Sequence, residues 1–207
     1  LLQQEKFLLL HGVGGIGKTE LAKHYAMTYA EEYDAVVFVR FLDSIESTIL
    51  SDTNFPIVHC TRSEGESDAA YLERKLQVLH QICTPRHLIL LDNFDTGDCE
   101  NLDFLTELPC PILVTSRVDY DGIFPQYEVD ILSDESALYQ MMAYYTKREP
   151  DLYTDAILKA LNGHTMAVEL VAKQMALHQL TSREMYEKLC AEGISGDDGK
   201  VRQLKDS

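Results

Sequence analysis

The residues with the clearest chemical meaning are the glycines and the lysine–threonine pair near the start of the sequence. Residues 11–20 read HGVGGIGKTE, and glycine at such density costs conformational entropy without packing against anything. Gly12, Gly17, Lys18 and Thr19 fit the pattern G-x-x-x-x-G-K-S/T. In that pattern backbone N–H groups surround a phosphate, the lysine reaches the β- and γ-phosphates, and the hydroxyl binds Mg²⁺.

The elements on either side of the glycines support a binding site for ATP or ADP with Mg²⁺. The apolar run FLLL (7–10) predicts a buried strand before them, and apolar residues at helical spacing follow them. A helix N-terminus adds partial positive charge for phosphate. A glycine-rich turn that fits by chance would lack this context. The predicted binding residues of this segment are Gly12, Val13, Gly14, Gly15, Ile16, Gly17, Lys18, Thr19 and Glu20.

The second candidate segment is LILLDNFD, residues 88–95. An apolar strand that ends in aspartate places a carboxylate at the carboxyl edge of a parallel sheet, where open α/β folds bind ligands. We predict that Asp92 holds Mg²⁺ together with Thr19 and acts in catalysis with Lys18. The alternative is an ordinary aspartate in the turn after a strand.

Two further side chains are predicted to act at the γ-phosphate. Arg117 ends the run ILVTSR (112–117), and a guanidinium at the same sheet edge can contact the γ-phosphate; the alternative is a surface arginine. An attacking water needs an orienting group, and Asn93 cannot take a proton. Asp95, the next carboxylate, either orients this water or points to solvent or caps the following helix. Because no acid adjoins Asp92, we predict slow turnover.

Strand-like and helical segments alternate as far as residue 132. The remaining strand-like runs are 35–39, 88–91, 112–115 and 127–132. The stretch 43–66 is polar and is predicted to be irregular, with 56–58 a possible short strand. The helical stripes are Leu21, Tyr25 and Tyr29 with Ala22 and Ala26 beside them, and Ala69, Leu72, Leu76 and Leu79 in a helix that begins at Asp68 and ends at Pro85. This alternation predicts an α/β fold, a P-loop NTPase parallel sheet with helices on both faces.

Beyond residue 132 the pattern is helical. Apolar spacing predicts helices around 138–145 and 157–161, the second of which ends at an Asn-Gly pair. Residues 164–180 are apolar nearly all round and predict a buried helix, and TSRE (181–184) is a capping box for another. We predict a nucleotide-binding domain over 1–132, a small all-α domain over 133–193, and a linker or frayed end over 194–207.

Composition and charge limit the partners. The formal net charge is −16, which argues against non-specific nucleic-acid binding because phosphate neutralisation needs a basic face. No apolar run approaches the roughly 20 residues of a membrane span, and no secretion signal is recognisable. The 5 cysteines form no C-x-x-C pair, which favours reduced, structural thiols in a cytoplasmic protein. Because there is no initiator Met, we expect a piece of a longer chain.

Four segments, taken in order, make the sequence resemble the nucleotide-binding module of bacterial STAND ATPases, the NB-ARC-like P-loop signalling switches, with their first helical domain. The glycine loop resembles their Walker A motif, LLDNFD their Walker B motif LLDNFE, with an acid at the place of Asp95, and ILVTSR their sensor 1 strand. GHTMAVEL (163–170) resembles their G-x-P-L-A-x-E-L segment. This last resemblance implies that Gly163, Thr165 and Met166 contact the nucleotide.

The resemblance implies a three-layer nucleotide domain and a four-helix domain with ATP or ADP between them. Such modules are switches, closed with ADP and open, often oligomeric, with ATP. It therefore implies self-association or protein partners through domains outside this chain. From the net charge and the lack of a long apolar run, we expect the chain itself to bind no nucleic acid and no membrane. Two positions depart from the pattern: Thr165 replaces the family's proline, and Asn93 replaces the second acidic residue of animal and plant members.

Two other functions stay open. A P-loop phosphotransferase, such as a small-molecule kinase, is expected to carry an arginine-rich substrate lid, but the stretch 43–66 contains only Arg62. A nucleotide-dependent scaffold would bind ATP without turning it over. The sequence favours a signal-transduction ATPase that hydrolyses ATP slowly to reset its conformation, as a module of a longer multidomain regulator.

Overall fold

The computed structural model describes residues 2, 5–55, 57, 60–96, 102–120, 123–132 and 135–193. Two compact units divide the chain: Leu1–Val13 with Lys18–Val129, and Gly14–Gly17 with Asp130–Ser207. Two predicted features, most of the possible strand at 56–58 and the end segment 194–207, fall outside the described residues, as does Cys99, one of the five cysteines.

A 5-stranded parallel sheet forms the centre of the first unit. Its strands are β1 (Phe7–His11), β2 (Ala35–Arg40), β3 (His87–Asp92), β4 (Ile112–Thr115) and β5 (Gln126–Glu128), in the spatial order β2-β3-β4-β1-β5. The register aligns Leu10 with Thr115 and Arg40 with Asp92. Because the strands are parallel and β4 lies between β1 and β3, the carboxyl ends of these three strands are neighbours at one edge.

Helices cover both faces of this sheet, because successive strand residues point to opposite sides. On one face, α1 (Lys18–Thr28) packs against leucines of β1, β3 and β4, and a 3₁₀ turn (Ala30–Glu32) follows it. On the other face lie α2 (Ile45–Leu50), α3 (Asp68–Ile82) and α4 (Asp103–Thr106). The predicted α/β fold with helices on both faces is confirmed, and burial on both sides explains why β1, β3 and β4 read as continuous apolar runs.

The second unit contains four helices among its described residues: α5 (Glu135–Thr146), α6 (Leu152–Ala160), α7 (Thr165–His178) and α8 (Ser182–Ala191). Their common core includes Leu138, Ile157, Ala172 and Met185. The predicted capping box is present, since Thr181 and Glu184 each accept the other's backbone N–H through their side chains. Asn162 and Gly163 adopt positive φ after α6, as a helix stop requires. Within the described residues, no helix has the length and apolarity to cross a membrane.

The buried side of α1 differs from the predicted stripe. Its buried residues are Lys18, Ala22 and Ala26, whereas Leu21 and Tyr29 are exposed. The small alanines face the sheet, so the larger side chains of the helix turn outward.

The buried side of α3 also differs from the prediction. Tyr71, Lys75 and Leu79 are buried, while Ala69 is exposed and Leu72 and Leu76 are only half-buried. The stripe therefore centres on a lysine, a residue type that apolar periodicity never selects for a core.

Three further expectations are corrected. In α7 the side chains of Met166, Leu170 and Leu177 are exposed, so the helix is not buried nearly all round. The last strand ends at Glu128, and residues 129–132 lie outside it. The polar stretch 43–66 contains α2, which begins with a Ser44–Ser47 capping box. That box uses a second serine instead of the usual Glu or Gln, and the sequence pattern therefore missed it.

Candidate functional site

The glycine loop adopts backbone conformations that explain its composition. Gly12, Gly15 and Gly17 have φ of 143°, 76° and 115°, a region in which a side chain is strained. A Cβ atom at Gly12 would also clash with the carbonyl oxygen of Val129. Glycine is thus required at Gly12 by two independent constraints.

Lys18 is the first residue of α1 and is only 8% exposed. Its ammonium donates hydrogen bonds to the carbonyl oxygens of Gly12 at 2.8 Å and Val13 at 2.9 Å. Burial lowers the pKa of Lys18, and Asp95 partly opposes this shift by its negative charge. A desolvated cation held by neutral carbonyls is well suited to bind an anion.

The carboxylate of Asp92 lies where the ends of three elements meet. Its Oδ1 accepts a hydrogen bond from the Thr19 hydroxyl at 2.6 Å and another from the Thr115 hydroxyl at 2.8 Å. Thr115 in turn accepts the backbone N–H of Asn93 at 3.0 Å, the residue at which the chain turns with φ of 62°. Asp92 is thereby fixed in place against the first turn of α1.

Mg²⁺ fits the oxygen atoms gathered here. Among the described residues, no group of three or more His, Cys, Asp or Glu side chains could hold a metal. Mg²⁺ does not need such a cage, because it commonly takes one or two protein oxygens and completes its shell with water and substrate phosphates. The Thr19 hydroxyl and the Asp92 carboxylate, 2.6 Å apart, offer two hard oxygen ligands of this kind.

Asp95 and Arg117, both predicted to act at the γ-phosphate, are paired with each other. The Arg117 backbone N–H donates to Asp95 Oδ1 at 2.6 Å, and its guanidinium Nε donates to Oδ2 at 2.7 Å. Burial would raise the pKa of Asp95, but these hydrogen bonds from Arg117 outweigh it and hold the pKa below its usual value. The Arg117 side chain is 67% exposed, whereas the Asp95 side chain is 18% exposed.

The remaining predicted residues divide into those of the glycine loop and the start of α7, which contact each other, and those that have only local neighbours. Gly14–Gly17 belong to the same unit as Thr165 and Met166, and the Thr165 hydroxyl donates to the Ile16 carbonyl at 2.8 Å. Val13 is exposed, the Glu20 carboxylate forms a surface ion pair with Lys23, and Gly163 lies next to Leu138. The structure therefore gives Glu20 and Gly163 local partners.

Comparison with known proteins supports the fold and little more. No protein-family model matches the sequence, and no curated protein matches it. A solved structure of Drosophila ORC bound to DNA has a TM-score of 0.58 and 11% identity, over 97% of this chain and 65% of that chain. The chain has a P-loop NTPase fold. At such low identity, the similarity to ORC shows the fold alone.

A second similar structure is the closed state of Hsp104 with ATPγS and FITC-casein. It has a TM-score of 0.48 and 15% identity, over 94% of this chain and 40% of that chain, which is too low to support an argument. The chain thus spans less than two thirds of the length of either matched chain.

Sequence reasoning missed three residues that contact predicted site residues. Thr115 binds Asp92, the Ser116 hydroxyl lies 3.4 Å from Asp95 Oδ1, and His164 Nε2 lies 2.9 Å from the Gly14 carbonyl oxygen. All three lie within motifs that the sequence had already singled out. Their signal was polarity at a strand end or a helix start, which gains meaning only when the neighbouring strand or loop is known.

Proposed function

We propose that this chain is the ATP- and ADP-binding module of a signal-transduction ATPase of the STAND or NB-ARC type, with slow Mg²⁺-dependent hydrolysis. The observation that carries the proposal is the 2.6 Å hydrogen bond from the Thr19 hydroxyl to Asp92. Thr19 directly follows Lys18, which is buried. These are the hydroxyl, carboxylate and ammonium with which a phosphate loop binds phosphate and Mg²⁺.

Each of these residues has a separate role in the proposal. Loop N–H groups and Lys18 bind the phosphates, and Thr19 and Asp92 would hold Mg²⁺. Bound Mg²⁺ supplies charge neutralisation at the β- and γ-phosphates. When ATP binds, Arg117 leaves its ion pair with Asp95 and contacts the γ-phosphate. ADP has no γ-phosphate and therefore lacks this contact. Such a difference between ATP and ADP is what a nucleotide switch requires.

The finer parts of the proposal depend on the resemblance to STAND proteins. They are direct nucleotide contacts by Gly163, Thr165 and Met166, a place in a longer cytoplasmic regulator, and self-association or protein partners through other domains. ORC was solved bound to DNA, but the net charge of −16 opposes DNA binding by this chain. We therefore propose the nucleotide as its small-molecule partner and no nucleic acid.

The experiment that tests the proposal compares Asp92→Ala with Asp34→Ala, a matched change in a surface ion pair with Arg86. We expect the wild type to bind ADP and ATP in calorimetry and to hydrolyse Mg²⁺-ATP slowly. Asp92→Ala should abolish Mg²⁺-dependent hydrolysis but keep ADP binding without metal, because the loop contacts do not need this carboxylate. Asp34→Ala should behave as wild type.

Two outcomes would contradict this function. Turnover at the wild-type rate in Asp92→Ala would reduce Asp92 to a turn residue. A sharp rise in ATP turnover on addition of small phosphate acceptors would favour the phosphotransferase, because a switch does not respond to them. Identifying the nucleotide released when the purified protein is denatured adds an independent check.

A further inference from the structure

Two side chains at the start of α7 hold the glycine loop by its carbonyl oxygens. His164 Nε2 lies 2.9 Å from the Gly14 carbonyl oxygen, and the Thr165 hydroxyl donates to the Ile16 carbonyl at 2.8 Å. A carbonyl oxygen can only accept, so Nε2 of His164 carries the hydrogen. Its Nδ1 is then the acceptor for the Ala167 N–H at 3.4 Å, the contact that caps α7.

These two hydrogen bonds fix the direction of two peptide planes. A trans peptide is planar, and its C=O and N–H groups point in opposite directions. The Gly14 carbonyl shares its peptide with the Gly15 N–H, and the Ile16 carbonyl shares its peptide with the Gly17 N–H. Because α7 binds both carbonyls, the N–H groups of Gly15 and Gly17 must point away from the α7 side chains.

The loop cannot set these directions by itself. Gly15 and Gly17 adopt φ of 76° and 115°, and glycine populates many alternative conformations at similar energy. The start of α7 also packs closely on the loop, since a Cβ atom at Gly15 would lie 2.6 Å from Met166 Sδ and 3.1 Å from His164 Cε1. External contacts, rather than the glycines, select the observed conformation.

We propose that His164 and Thr165 are positioning residues that hold the Gly15 and Gly17 N–H groups in the direction required to bind a diphosphate. This inference rests on the proposed nucleotide-binding function and adds the residues that pre-organise its phosphate loop. It also gives Thr165 a role that proline cannot fill at this position, because proline has no side-chain donor for the Ile16 carbonyl.

The test measures Mg²⁺-free binding of ADP and of pyrophosphate by calorimetry in two matched pairs of variants. Thr165→Ser keeps the hydroxyl and Thr165→Val removes it with little change of shape; His164→Gln keeps an amide donor and His164→Leu removes it. We expect Thr165→Val to bind both ligands about three- to tenfold more weakly, the effect of one lost hydrogen bond. Thr165→Ser should stay near wild type, and His164→Gln should bind more tightly than His164→Leu.

Pyrophosphate makes the test specific, because it carries the phosphates and nothing else of the nucleotide. Equal affinities of Thr165→Val and Thr165→Ser for both ligands would overturn the positioning role, and so would a loss confined to ADP. A wild-type protein that binds neither ligand would instead overturn the proposed function itself. The His164 pair decides the matter if Thr165→Val does not fold.

Discussion

Two lysines of the first unit are buried, and their ammonium groups have different kinds of hydrogen-bond acceptor. Lys75 in α3 is 0% exposed, and its ammonium lies 2.8 Å from Asp52 Oδ1. The Lys18 ammonium donates to two backbone carbonyls, and no carboxylate in the described part of the chain lies within ion-pair distance of it. The ammonium of Lys75 is neutralised by its counter-ion, so its role is structural. The ammonium of Lys18 is hydrogen-bonded only to neutral carbonyls, so it still attracts an anion.

A shared carboxylate organises the region around Lys75. The Tyr71 hydroxyl lies 2.5 Å from Asp52 Oδ1 and 2.9 Å from the Cys60 carbonyl. Hydrogen bonds from Lys75 and from Tyr71 hold the pKa of Asp52 below its usual value. Burial, together with the Asp52 contact, raises the pKa of Tyr71 to about 12. The network therefore fastens Asp52 and Cys60 to α3, which is a structural task.

The largest expected contrast comes from making the same substitution at both lysines. Lys18→Met should weaken ADP and ATP binding roughly tenfold or more, because charge-assisted hydrogen bonds to phosphate are worth about 1.5–3 kcal/mol each. Lys75→Met keeps a side chain of similar length and should leave both affinities unchanged. Calorimetry on the two variants measures the difference. Similar affinities in the two variants would show that burial without a counter-ion does not mark a binding lysine.

The two partners of the Lys75 pair should respond unequally to removal. Asp52→Ala leaves a fully buried ammonium without its counter-ion, and we expect it to lower the free energy of unfolding by roughly 1–3 kcal/mol. Lys75→Met leaves only Asp52, which is 52% exposed and can be hydrated, so the loss should be much smaller. Urea unfolding of both variants and of the double variant tests this. Equal losses would mean that the buried lysine is not the dominant cost.

Much of the site could be predicted from sequence because its signals are local. The spacing of Gly12, Gly17, Lys18 and Thr19 selects a phosphate loop without any knowledge of the fold, and the apolar runs mark β3 and β4. The contact between Thr19 and Asp92 then follows from the rule that parallel strands present their carboxyl ends at one edge.

What could not be predicted depends on pairs brought together by topology. Lys75 can be buried because Asp52 neutralises it. Asp52 lies before α3, in a polar stretch with no periodic pattern, so nothing in the sequence indicated this pair. The pairing of Asp95 with Arg117 requires that β3 and β4 be neighbours, and strand order is not written in either segment. Apolar spacing reports which face of a helix is buried only when the buried residues are apolar.

The pH dependence of stability sharpens the structural half of the comparison. The pKa of Asp52 is lowered in the folded protein, so its contribution is present above the unfolded value of about 3.9 and is lost as the pH falls below it. The difference in unfolding free energy between wild type and Asp52→Ala should thus be constant near neutral pH and shrink below about pH 4. Urea titrations at several pH values measure it. A difference that grows in acid would contradict the assigned ion pair.

A substitution of Arg117 tests whether the Arg117–Asp95 ion pair can break so that Arg117 binds the γ-phosphate. The Lys75–Asp52 pair has no such alternative partner in our proposal. Arg117→Ala should reduce the preference for ATP over ADP by several-fold, on the order of threefold to tenfold, while ADP affinity changes little. Stability should change by less than about 1 kcal/mol, because exposed ion pairs contribute little. Calorimetry with both nucleotides gives the ratio, and equal losses for ATP and ADP would count against contact with the γ-phosphate.

The smallest effect is expected at Asp95, where a catalytic role and a positioning role predict different magnitudes. A carboxylate whose pKa is held low by Arg117 is a weak proton acceptor, and general-base catalysis contributes roughly 10²–10⁴-fold when it operates. We expect wild-type turnover well below the roughly 1–10³ s⁻¹ of typical enzymes. Asp95→Asn should slow it only a few-fold, and the Asp95→Asn Arg117→Ala double variant should be no slower than Arg117→Ala alone. A loss of a hundredfold or more that is independent of Arg117 would identify Asp95 as the group that orients the water. A faster Asn93→Asp variant would show that the wild type lacks a water-orienting acid next to Asp92.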